Sequence, residues 1–74
     1  MNLNATSKPS MYRDNIKIGM IVDVVLKKDQ RTGKRTRGIV KHILTSAKFH
    51  TRGIKVQIES YQIGRVQEII EIIK

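Results

Sequence analysis

Apolar residues in this chain gather in short runs separated by polar, glycine-bearing stretches, and the period of each run predicts the element it forms. Ile16, Ile18, Ile21, Val22, Val24, Val25 and Leu26 make the first run, rich in β-branched side chains; alternation puts Val22, Val24 and Leu26 on one face, and Gly19 permits a turn ahead of them. Lys27 to Arg35 then brings Asp29, Gln30, Thr32 and Gly33, the composition of a type I turn closed by a glycine at positive φ. The first two strands therefore form a hairpin. Thr36 to Leu44 reads as the second strand, but Lys41 and His42 break the alternation of Ile39, Val40, Ile43 and Leu44, which predicts a bulge. Gly38 at its start fits a close approach or a bend.

Thr45 to Arg52 is a loop with a single aromatic residue, Phe49, most simply a plug over the core beneath the loop; its flanks, Lys48 and His50, also suit a ring that stacks on a base. Beyond Gly53 the alternation is cleanest. Ile54, Val56 and Ile58 face one way and Lys55, Gln57 and Glu59 the other. Ser60 and Tyr61 are a turn, and Ile63, Gly64, Arg65 and Val66 lead a fourth strand. Ile69, Ile70, Ile72 and Ile73 beside Glu68 and Glu71 fit a helical face as well as a strand, with strand favoured to about Ile70. Residues 1–15 are polar and read as a disordered N-terminal tail, leaving 16–74 as one small domain. The expected fold is mainly all-β, a small antiparallel barrel of four to five strands, since closure removes the long free edges of so short a sheet.

Charge changes the picture from a fold to a candidate activity. Between Lys27 and Lys55 lie ten bases (Lys27, Lys28, Arg31, Lys34, Arg35, Arg37, Lys41, Lys48, Arg52 and Lys55) against one acid, Asp29, so this segment carries +9. Five bases and five acids make up the remainder, which is formally neutral. A solvated face that only confers solubility gives no reason for such confinement, whereas a polyanion ligand does. Arg31, Lys34, Arg35 and Arg37 are the first candidates for phosphate contact, because arginine grips phosphate oxygens in a bidentate fork. Lys27, Lys28, Lys41, Lys48, His50, Arg52 and Lys55 form their flank. Reversing Arg35 and Arg37 is expected to weaken polyanion binding and leave the fold intact.

Other chemistry is thinly represented. The chain has no cysteine, which excludes disulfides, cysteine-ligated zinc and thiol catalysis, and fits a reducing cytoplasm. His42 and His50 are its two histidines, with carboxylates too scattered to complete a metal site, and no hydroxyl sits in a nucleophile motif. Thr32-Gly33-Lys34-Arg35-Thr36 lacks the second glycine, the hydroxyl residue after lysine and the following helix of a nucleotide-binding loop. No apolar run approaches the length of a membrane helix. The expectation is a protein without catalysis, cofactor or metal.

Ile16 to Lys34, continuing into Thr36-Arg37-Gly38-Ile39-Val40, closely resembles the YwbE-like family of small uncharacterised bacterial proteins, as do Arg52-Gly53-Ile54-Lys55-Val56 and Gly64-Arg65-Val66. About three quarters of the chain is covered. Where that family commonly has a glycine in the turn before the last motif, this chain has Ser60 and Tyr61. Ile18-Gly19, Val22, Val24 and Gly38-Ile39-Val40 are also similar, more loosely, to Src-homology-3-like and KOW-type barrels of ribosomal proteins and of translation or transcription factors. The resemblances imply a shared barrel and leave mechanism to the charge map. The combined expectation is a cytoplasmic monomer that binds nucleic acid, RNA ahead of DNA, through the basic hairpin and the Thr45–Arg52 loop. Its rival is a protein-interaction module that docks an acidic partner through strand edges and the C-terminal isoleucines. A membrane-surface adaptor would want a basic amphipathic helix, and none is apparent.

Overall fold

Alternating β-branched side chains need a common interior to leave water, and the chain supplies one by curling its strands around them. The computed structural model describes residues 8–71. Its strands β1 (Ile21–Leu26), β2 (Thr36–Ile43), β3 (Lys55–Ile58) and β4 (Ile63–Glu71) form a closed antiparallel barrel in sequence order, with β4 returning to β1. Val22, Val24 and Leu26 from β1, Val40 from β2, Val56 and Ile58 from β3 and Val66 from β4 fill the interior, joined by Ile16, Met20 and Ile54. Each fully buried Val, Ile or Met contributes about 1.5–3 kcal/mol, which so short a chain needs from nearly every strand position.

The first run of apolar residues divides at Gly19. Ile16 is buried, Ile18 stands exposed at the tip of a turn, and β1 begins only at Ile21. The Gly19 N–H donates to the Val40 carbonyl, and the Val40 N–H donates to that of Met20, so this turn is already tied to β2. β2 ends at Ile43, one residue before the expected Leu44, and the bulge falls where Lys41 and His42 break the alternation: the β2–β3 register slips between Val40 and His42. Gly38 meets its predicted close neighbour as a side chain, because a Cβ there would lie 2.6 Å from Ile58 Cδ1. The last strand runs on to Glu71, which decides between strand and helix for the described part; 72–74 lie outside the described residues.

Two further departures have local causes. Of the expected tail, residues 1–7 lie outside the described residues, but Lys8 to Asn15 is packed on the barrel through two 3-10 turns, Pro9–Met11 and Arg13–Asn15. Few apolar groups hold it there. Ser10 is buried and donates its hydroxyl to the Gln67 carbonyl, while the Ser10, Met11 and Lys48 carbonyls accept from Ile54, His50 and Arg13 N–H groups. Tyr61 takes φ 70°, the left-handed conformation that a glycine would enter without strain, and its ring lies under the Lys41 ammonium at 4.1 Å.

Candidate nucleic-acid interface

The β1–β2 connection is stiffened by its own backbone. After a 3-10 turn at Lys27–Asp29, the Gly33 N–H donates to the Asp29 carbonyl at 2.8 Å and Gly33 takes φ 75°, as the turn chemistry requires. The connection stands beside the outward face of β1 and β4. There the antiparallel register aligns Lys55, Arg65 and Val25 across β3, β4 and β1.

A groove follows that row. One part, of about 460 Å³, is lined by Val25, Gln30, Gly33, Arg52, Arg65 and Gln67. A second part, of about 380 Å³, shares Val25, Gln30 and Arg65 and adds Lys27, Lys55, Ile63 and Gly64. Four cations, Lys27, Arg52, Lys55 and Arg65, thus border these adjoining parts together with Val25, Ile63 and two side-chain amides. Arg65 Nη1 donates to the Gly53 carbonyl at 3.2 Å, and Gln67 Nε2 to the Arg52 carbonyl at 3.1 Å, so β4 anchors the end of the Thr45–Arg52 loop and sets Arg52 next to Arg65. Gly53 makes that anchoring possible. It has φ 97°, and a Cβ on it would be driven into the Val66 carbonyl oxygen.

The predicted basic residues do not all come to one place. Lys27, Arg52 and Lys55 reach the groove; Lys28, Arg31 and Lys34 stand exposed on the connection above it. Lys48 is exposed in its loop, and His50 accepts the Arg52 N–H on Nδ1 at 3.1 Å, a bond that shapes the loop. Lys41 is turned to Tyr61. Arg35 and Arg37, two of the first candidates, are engaged by acids: Arg35 with Glu68 and Arg37 with Asp23, each at 2.9 Å, the ion pairs found among the described residues. The Asp23 hydrogen bond, and then its charge, holds the Arg37 guanidinium above its ordinary value.

This pairing corrects one expectation. Asp23 is buried, so reversing Arg35 and Arg37 would crowd new carboxylates against Asp23 and Glu68 and disturb the fold as well as the charge. Arg65 and the two glutamines were not singled out by the sequence, because the cross-strand register that places Arg65 between Lys55 and Val25 is not a local signal. Phe49 is corrected too. It is 40% exposed and leans on Tyr12 instead of plugging the core.

Among the described residues no group of three or more His, Cys, Asp or Glu side chains could hold a metal ion, and no helix is long and apolar enough to cross a membrane. Fold and site together define a small closed antiparallel barrel of the Src-homology-3-like or KOW-like kind, with a basic groove on its outer face. The chain belongs to the family described as "Uncharacterized conserved protein (DUF2196)", whose model matches residues 10–69. It is similar to "Uncharacterized protein YwbE" of Bacillus subtilis (strain 168), 57% identical over 58 residues that cover 78% of this chain and 89% of that protein. The YwbE-like resemblance is thereby established. No solved structure matches the chain.

Proposed function

We propose that this protein is a small, non-catalytic RNA-binding domain of the cytoplasm, acting in translation or on the ribosome, which grips the phosphate backbone along its groove. The observation that carries this reading is the convergence of Lys27, Arg52, Lys55 and Arg65 on one depression, none of them in an ion pair among the described residues. The acids Asp23 and Glu68 meanwhile sit against Arg35 and Arg37. Cations spent on carboxylates have little left for phosphate, whereas unpaired ones release condensed counterions when a phosphate replaces them. Arginines at Arg52 and Arg65 suit bidentate contact, and the backbone anchors at Arg52 and Gly53 reduce the entropy lost on binding.

RNA is favoured over duplex DNA by the shape of the surface. Among the described residues no recognition helix is available for a major groove, while a short groove flanked by a basic hairpin follows converging backbones of folded RNA. The similarity to KOW-type barrels supports the translational setting. The test recovers tagged protein from cells with and without ribonuclease, beside an Arg52→Gln, Arg65→Gln double variant. RNA that copurifies with the wild type and is lost from the variant is the expected result. An acidic protein retained after ribonuclease, with no RNA in the untreated sample, would replace this reading with the docking of a protein partner.

A further inference from the structure

Two of the exposed aromatic rings stand together on the surface outside the groove. Tyr12 is 37% and Phe49 40% exposed, with centroids 5.0 Å apart and planes at 53°. Their backbones hold them together independently of the rings. Arg13 N–H donates to the Lys48 carbonyl at 2.8 Å and His50 N–H to the Met11 carbonyl at 2.9 Å, while Arg13 Nε donates to the Thr45 carbonyl at 2.9 Å. The rings meet at a tilt instead of stacking flat, and Phe49 keeps 40% of its surface exposed, where a core plug would be buried.

The surroundings are cationic. Lys48 and His50 adjoin Phe49, and Arg52 follows in the same loop, tied by its N–H to His50 Nδ1 at 3.1 Å. The Thr45–Arg52 loop holds no acid; the nearest in sequence to the pair is Asp14, exposed beside Arg13. One loop therefore presents an open ring and, three residues on, an arginine of the groove. A π-face next to phosphate-binding cations is the arrangement by which unpaired bases are held, since every base offers a face to stack.

We propose that Phe49, backed by Tyr12, is a stacking site for one unpaired base, with Lys48 and Arg52 taking the phosphates on either side. This rests on the RNA-binding reading and names its substrate class: RNA with an unpaired nucleotide beside a stem, instead of a continuous duplex. A stacked base strengthens binding roughly 5- to 150-fold.

The experiment measures affinity for one RNA hairpin with and without a single bulged adenosine, at one salt concentration, for the wild type and for Phe49→Leu, which keeps an apolar side chain and removes the ring. The wild type should prefer the bulged hairpin by roughly 5-fold or more. Phe49→Leu should bind both hairpins as the wild type binds the continuous one. Because the chain has a single phenylalanine, its ring proton signals in the wild type give a second readout that needs no variant. They should move upfield on addition of the bulged hairpin. Equal wild-type affinity for the two hairpins, a preference that survives Phe49→Leu, or unmoved phenylalanine signals would overturn the stacking site and leave phosphate binding standing. Failure to bind either hairpin would overturn the RNA reading itself.

Discussion

Replacing Gly53 with alanine tests whether the site and the fold share one fixed point. Gly53 has φ 97°, and its Cβ would be driven into the Val66 carbonyl oxygen of β4. Left-handed backbone costs an alanine about 1–2 kcal/mol. Relieving the clash moves the loop away from β4, which strains the Val66 N–H bond to the Ile54 carbonyl at 2.9 Å and the Arg65 bond to the Gly53 carbonyl at 3.2 Å. Each is worth about 0.5–1.5 kcal/mol. Lower entropy of the unfolded chain returns about 0.4–1 kcal/mol, leaving a net loss centred near 3 kcal/mol.

Gly33 is the control. It also has positive φ, 75°, but nothing lies within 4 Å of its Cβ position, so Gly33→Ala should lose only about 1 kcal/mol. Urea unfolding followed by circular dichroism would resolve the difference, since with a slope near 1 kcal/mol/M the two midpoints should lie about 2 M apart. Gly53→Ala should also weaken RNA binding under conditions where it remains folded, because Arg52 moves with the loop. Midpoints for the two variants within about 0.5 M would refute the reasoning.

The other expectations concern the groove. If about four to six cations meet phosphates, log K against log salt should fall with a slope near −4 to −5 on duplex RNA, and a flat plot would remove the electrostatic basis. Arg52→Glu with Lys55→Glu should depress RNA affinity at least tenfold with little change in urea midpoint, while Arg35→Glu with Arg37→Glu should lower the midpoint; the reverse order would show that the site is misplaced. At one fixed salt concentration a structured RNA should outcompete an unstructured homopolymer of equal length and duplex DNA. Equal competition would reduce the activity to nonspecific polyanion binding.

What could be read in the sequence was local. Val22, Val24 and Leu26, and again Ile54, Val56 and Ile58, announce their faces through a period of two, and the structure buries all six. Gly33 announces its turn, and Lys41-His42 its bulge, by chemistry confined to a few residues. What escaped depends on pairing across the barrel. Charge summed along the chain groups Arg37 with the basic segment and Asp23 with the neutral remainder, yet β1 and β2 set the two opposite each other. Arg65 joins the groove by the same kind of register. Lys8 to Asn15 escaped for another reason: it is held by backbone hydrogen bonds and the buried Ser10, neither of which leaves a hydrophobic pattern to read.

The closure of β4 on β1 also governs how the chain acquires its shape. Their paired residues are separated by 38 positions at one end (64 − 26) and 50 at the other (71 − 21), and this ladder has six register pairs against four for β1–β2. Such distant pairing makes folding slow, on the scale of milliseconds to seconds. On a ribosome adding about 5–20 residues per second, β1 waits roughly 2–8 s for Gly64 after Leu26 has been made. Through that interval one flank of β1 is open, and its Val22, Val24 and Leu26 lack the cover of Val66. The Lys27–Arg37 stretch next to it holds six bases and one acid, so nascent copies repel one another where their unfinished strands would otherwise join. The charge of the β1–β2 connection thus guards the chain before the barrel exists.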